Sequence, residues 1–248
     1  MAFRDYFSGQ AKQYVRYRPG YPPELFTYLA DLAPARQAAW DSGTGNGQAA
    51  RQLAEHFQRV IATDASEQQI ENALQHERIE YRVERAEATS ILASSIDLIT
   101  SAVAAHWFDF EAYIQEVQRV SKPGAVIAVW TYQFAQIDPA LDALIKRYYY
   151  ESLQGYWPER IHYVENKYAD LPFPFDELEA PAFKAETDWD LQSLAGFLDS
   201  WSGTQAYLRQ NQVHPLEGLW PQLRAAWGAP EHKRRVTWPL YLRVGRVE

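Results

Sequence analysis

The chain has 248 residues, 47% of them hydrophobic, which is enough for one large domain with a full core. It contains no cysteine, so disulfides and thiolate metal sites are excluded, and its formal net charge of -8 argues against a nucleic-acid partner. No apolar run approaches the ~18 residues of a membrane span, and MAFRDYFSGQAKQYVRYRPG lacks the apolar stretch of a signal peptide, so a cytoplasmic location without membrane contact is expected.

In chain order, QAAW (37–40) is a short apolar strand that runs into DSGTGNG, and QAARQLAEHF (48–57) has Ala49, Leu53 and Phe57 at helical spacing. RVIATD (59–64) reads as a buried parallel strand ending in Asp64, with Ser66 as the N-cap of a helix over EQQIENALQH. IEYRVE (79–84) is a third strand and SIDLITSAVA (95–104) contains a fourth. DFEAYIQEVQRV (109–120) is an amphipathic helix, stopped by KPG before a fifth strand, AVIAVWTY (125–132). This alternation predicts a doubly wound, mostly parallel sheet with right-handed crossovers.

Beyond residue 132 the pattern changes. DPALDALIKRYYYES (138–152) reads as one helix, 171–183 as a Pro-rich connection, and 183–190 as a strand. Helices follow near 191–199, 203–211 and 215–227. RRVTWPLYLRVGRV (234–247) is expected to be an antiparallel last strand, with Pro239 at a bulge or an edge. The expectation is one domain over 1–248 with a seven-stranded sheet. It comprises an N-terminal cap segment (1–35), a cofactor-binding core (36–132), a helical lid (133–182), and C-terminal strands and helices (183–248).

Gly43, Gly45 and Gly47 alternate behind Asp41, a pattern that brings a ligand close to a backbone. A phosphate loop needs Lys then Ser or Thr at its end, where this chain has Gln48 and Ala49. A dinucleotide fingerprint wants its third glycine at the place of Gln48, and Asp41 would face a pyrophosphate unfavourably. An aspartate opening a G-x-G-x-G loop suits a ligand with a cationic amine, and Asp64 is placed to accept both hydroxyls of a ribose.

With DSGTGNG and VIATD read in this way, the chain resembles the class I S-adenosylmethionine-dependent methyltransferases. The likeness continues in AEATSI, SIDLITSAVAAHWFD and VSKPGAVIAVW, and covers about 36–132. YRPGYP (17–22) and HWF (106–108) are similar to the small-molecule enzymes grouped around trans-aconitate methyltransferase. The resemblance implies a Rossmann-like fold and S-adenosyl-L-methionine as cofactor. It implies contacts from Asp41, Gly43, Thr44, Gly45, Gly47, Asp64, Ala65, Ala86, Glu87 and Ser101. It further implies a substrate pocket formed by Tyr14, Arg18, Tyr21, Trp107 and Phe108. Arg85 departs from the pattern, standing where a small or acidic residue would meet the adenine.

Blander alternatives stand beside these roles. Asp41 and Asp64 are also good helix caps, and His106 is equally a structural histidine or a general base. A sulfonium methyl is already activated, so the protein mainly aligns the acceptor and excludes water. A weakly acidic nucleophile needs a base, for which His106 is the best-placed candidate. A carboxylic acid acceptor needs none, and then Arg18 or Arg160 matters as a clamp. No metal-ligand spacing is present. Besides a small-molecule methyltransferase, a cofactor-binding domain without turnover and a protein-directed enzyme stay open. A DNA amino-methylating enzyme is disfavoured by SAVAAHWF, which lacks the Asn/Asp-Pro-Pro-aromatic motif.

Overall fold

The computed structural model describes residues 17–248. The elements are helix α1 (Pro23–Leu32), strand β1 (Ala38–Ser42), α2 (Gln48–Leu53), β2 (Arg59–Asp64), α3 (Glu67–Glu71), β3 (Ile79–Val83) and β4 (Ile96–Ala102). They continue with α4 (Phe110–Val120), β5 (Ser121–Thr131), α5 (Pro139–Arg147), α6 (His162–Glu165), β6 (Asp176–Leu178) and β7 (Phe183–Trp189). Helices α7 (Leu191–Asp199), α8 (Ser202–Asn211) and α9 (Leu216–Trp227) precede the last strand, β8 (Arg234–Arg246). No helix among the described residues is long and apolar enough to cross a membrane.

Strands β1 to β5 are parallel, and β8 is antiparallel to β5. The sheet order is β3-β2-β1-β4-β5-β8-β6, with β7 also pairing β8. The period of two along each strand divides the core into two layers. Ala39, Val60, Ala62, Leu98, Val126, Ala128 and Trp130 face one layer, together with α1, α2 and the C-terminal helices. Trp40, Ile61, Ile99, Ile127 and Val129 face the other, against Tyr113, Val117 and Val120 of α4. Both faces are covered, which is why these strands read as continuous apolar runs.

Eight strands, not seven, are present among the described residues. The extra one is β6, three residues long inside the Pro-rich connection, too short to carry a periodic signal. It pairs with the end of β8, and Glu177 takes Arg243 of that strand at 2.7 Å. Strand β5 begins at Ser121, ahead of the KPG tripeptide. Ser121 pairs with Ile96, and a register shift then lets Pro123 and Gly124 (φ 75°) bulge before Val126 pairs with Leu98. Pro239 is not on an edge: it lies opposite Lys184 of β7. Thr237 donates its N–H to Gln136, so by the antiparallel alternation Pro239 turns its nitrogen toward the same side. There the ladder is broken between the Thr131–Tyr241 and Gln136–Thr237 pairs, and no donor is missed.

The predicted helix over 138–152 ends its α part at Arg147. Tyr148–Ser152 widens into a π turn, with the Leu153 N–H bonded to the Tyr148 carbonyl at 3.1 Å. Such turns are rare and are frequent at functional sites. The predicted helix over 67–76 is only α3, capped by the Ser66 hydroxyl accepting the Gln69 N–H.

Candidate functional site

Parallel strands collect the loops that follow them at one end of the sheet, and the order reverses between β1 and β4. Crevices at that switch point are where open α/β sheets bind ligands. A cavity of about 870 Å³ lies there, bordered by the loops after β1, β2, β3 and β4 and by Pro158–Arg160. It is within the range of small-molecule and cofactor sites.

The loop after β1 is shaped by its glycines. Gly43 has φ 66°, and a Cβ there would lie 2.6 Å from Ala104 Cβ and 2.9 Å from Phe108 Cζ. Gly47 has φ 85°, and its Cβ would meet the Tyr81 hydroxyl at 2.1 Å. Neither position admits a side chain. The loop is also tied to the neighbouring strand: Asp64 accepts the Gly45 N–H at 2.8 Å and the Ser66 N–H at 2.9 Å. Asn46 Nδ2 and Gln69 Oε1 are buried without a hydrogen-bond partner among the described residues, and both residues border the cavity. A buried donor and acceptor left open here fit a ligand that carries both kinds of group.

A second, smaller cavity of about 80 Å³ adjoins the first. Arg18, Val103, Trp107 and Tyr132 border both. Its remaining walls include His106, Tyr149, Trp157 and Trp201. Val103 has φ 55°, an outlier for a β-branched residue, held at the end of β4 by its N–H bond to the Trp130 carbonyl at 2.8 Å. Strain of this kind persists only where the surroundings over-determine it, and it clusters at functional sites. Tyr149 stands on the π turn, and its hydroxyl is buried without a hydrogen-bond partner among the described residues.

His106 is 3% exposed, on a 3-10 turn over Ala105–Trp107, with Nδ1 at 2.7 Å from the Tyr168 hydroxyl. Burial, then the guanidinium groups of Arg160 and Arg18, hold its pKa down at about 3. Arg18 donates to the Tyr132 hydroxyl and the Ser200 carbonyl, each at 3.2 Å. Arg160 donates to the Phe108 carbonyl and sits 5.6 Å from the Phe110 ring centroid.

With this geometry in place, residues 40–129 match the family model described as a methyltransferase domain. A solved structure assigned as a type II methyltransferase from Anaeromyxobacter dehalogenans is 46% identical, with a TM-score of 0.86 over 93% of this chain and 98% of that one. The chain belongs to the class I S-adenosylmethionine-dependent methyltransferases. Among curated relatives, a methyltransferase-named protein of Dictyostelium discoideum is 29% identical over 253 residues, covering 99% of this chain and 96% of that one. An uncharacterised methyltransferase of Mycobacterium tuberculosis is 32% identical over 127 residues, about half of each chain. S-adenosylmethionine is therefore the cofactor, and the two open polar atoms of Asn46 and Gln69 fit its mixture of donors and acceptors.

Most of the residues expected at the methyltransferase site do meet at the larger cavity: Gly43, Thr44, Gly45, Asp64, Ala65, Ala86 and Glu87, with Arg18, Tyr21, Trp107 and Phe108. Phe108 is a wall of this cavity and not of the smaller one. Three expected cofactor contacts lie off its lining. Asp41 is fully buried beneath the loop, its carboxylate accepting from Thr44 Oγ1 at 2.6 Å and Thr100 Oγ1 at 2.8 Å. Gly47 is turned against Tyr81. Ser101 is fully buried in β4, and by the period of two it faces the same layer as Ile99. Tyr14 lies outside the described residues. Arg85 borders the cavity, paired with Glu87 at 3.3 Å.

Sequence reasoning missed Asn46, Gln69, Val103, Tyr132, Tyr149, Trp157 and Trp201. The chain is 15% aromatic, with a run of three tyrosines at 148–150, and this richness is the signal in the sequence that bears on the last four.

Proposed function

We propose that this methyltransferase acts on a small anionic molecule, a carboxylic acid, held in the smaller cavity. The observation that carries the reading is the pair of arginines beside this aromatic-walled space: Arg18 lines both cavities, Arg160 borders the larger one, and His106 is held neutral by burial first and then by the two guanidinium groups. A carboxylate is favoured by that field, and the planar guanidinium fork suits it. When bound, S-adenosylmethionine supplies an electrophilic methyl group. Asp64 takes the ribose hydroxyls, Gly43, Thr44 and Gly45 let the ligand reach the loop backbone, and Ala86 with Glu87 borders the adenine side. Trp107 and Tyr132 wall the space between the two cavities and exclude water from it. A carboxylate needs no deprotonation, so neutral His106 serves to orient the acceptor through a hydrogen bond and not as a base.

The test is a screen of small carboxylic acids, phenols and amines with S-adenosylmethionine, following formation of S-adenosylhomocysteine. Turnover is expected with carboxylic acids. Turnover confined to phenols or amines overturns the anionic reading, and turnover of a protein substrate alone overturns the small-molecule one. Tight cofactor binding without any turnover identifies a binding domain.

Asp41 provides a second check. Burial pushes its carboxyl up to about 6, against the two hydroxyl groups bonded to it. A cationic ligand favours the ionised form, so binding below that pH must displace a proton. S-adenosylmethionine affinity is expected to rise as pH increases through about 6, and the Asp41→Asn variant should lack this rise. Calorimetry on either side of that pH measures it.

A further inference from the structure

Helix α8 has a glycine in its first turn, Gly203, and that residue is buried. Glycine is a poor helix former, so its place here needs another reason. A Cβ on Gly203 would lie 2.9 Å from Cδ2 and Cε2 of Trp157 and 3.0 Å from Cε3. The indole is packed directly on the helix backbone, closer than any side chain at 203 would allow.

The same indole is confined by the π turn. Its ring stacks on Tyr149 with centroids 4.2 Å apart and planes at 28°, and its Nε1 donates to the Tyr149 carbonyl at 3.0 Å. Trp201, just before α8, packs on it at 5.7 Å. Trp157, Tyr149 and Trp201 are all walls of the smaller cavity, and the residues following Trp157, from Pro158 to Arg160, border the larger one. Trp157 therefore stands at the near end of a segment that covers both cavities.

We propose that Gly203 and Trp157 together set the size of acceptor that the enzyme takes. Gly203 itself lines neither cavity and meets the lining through the Trp157 ring. It acts by letting the indole seat against α8, which leaves the small cavity its width. A methyl group at 203 displaces the ring from the helix toward Tyr149 and the cavity, narrowing the space. A smaller ring at 157 widens it. Gly203 is a positioning residue and Trp157 the wall it positions. This inference rests on the smaller cavity being the acceptor site.

The experiment compares Gly203→Ala and Trp157→Phe with the wild type, using acetate, benzoate and 2-naphthoate as probes in the presence of S-adenosylhomocysteine. Calorimetry gives each affinity, and the crystal structure of Gly203→Ala gives the ring position. Gly203→Ala is expected to weaken the bulkiest acid that the wild type binds at least tenfold more than the smallest. S-adenosylhomocysteine affinity should hold, and the indole should be shifted off its wild-type position. Trp157→Phe is expected to move the size preference the other way, and it carries the test alone if Gly203→Ala does not fold. Binding by the wild type with no change in size preference in the variants, or an unshifted indole, overturns this inference and leaves the acceptor site standing. No binding of any carboxylate by the wild type overturns the proposed substrate and this inference with it.

Discussion

Replacement of Asp64 by alanine is expected to weaken S-adenosylmethionine binding by about 1.5–3 kcal/mol, the value of hydrogen bonds to a charged acceptor, or roughly 10- to 150-fold in affinity. The residue ends β2 at the edge of the larger cavity, and its carboxylate already takes the backbone N–H groups of Gly45 and Ser66. Two losses are combined in the variant: the acceptor for the ribose hydroxyls, and the tie that holds the glycine loop at the strand end. Asp64→Asn separates them, since it keeps one acceptor oxygen for the loop and gives up the charge. Calorimetry and thermal unfolding on both variants read the outcome. Alanine is expected to lower affinity more than asparagine, with the melting temperature shifted little because the site lies outside both core layers. Full affinity in Asp64→Ala would reduce the residue to a loop tie and helix cap.

The second large effect is expected from the arginines. Arg18→Leu and Arg160→Leu should each lower kcat/KM for the acceptor acid roughly 10- to 150-fold, as the loss of a charge-assisted hydrogen bond. His106→Ala should cost less than the ~10²–10⁴-fold that a general base contributes. The reason is the electrostatics around the imidazole. A histidine held at about 3 by burial and two guanidinium groups is neutral at any working pH, but protonating it beside those cations is steeply unfavourable. The rate is accordingly expected to show no histidine limb between about pH 5 and 9. A loss of ~10²-fold or more in His106→Ala, with a wild-type limb in that interval, would restore the general-base role. Removing either arginine should also raise the His106 pKa, which the ring proton resonances follow on titration. An unchanged His106 titration would show that burial alone sets it.

The cofactor half of the enzyme was legible in the sequence because it is local. DSGTGNG shapes its own turn through residues adjacent in the chain, and Asp64 ends a strand whose apolar run announces it. The alternation of apolar runs and amphipathic helices gave the doubly wound sheet for the same reason, since each element's period is written within the element. What the tertiary structure decided is where side chains on those elements point. Asp41 and Ser101 carry the right chemistry at the right strands, but the register of β1 and β4 turns them into the sheet, beneath the loop and into the second layer. A strand's pattern shows that faces alternate, not which layer each face meets. The acceptor side depends even more on long-range packing. His106, Tyr149, Trp157 and Trp201 come from separate segments, and only the tertiary packing, with Trp157 set between the π turn and the start of α8, brings them to one cavity. A run of three tyrosines in a helical pattern gives no sign that the helix widens there. Gly203 shows the same limit most plainly: by helix propensity it is a flaw, and only the indole lying on it supplies the physical reason for a glycine.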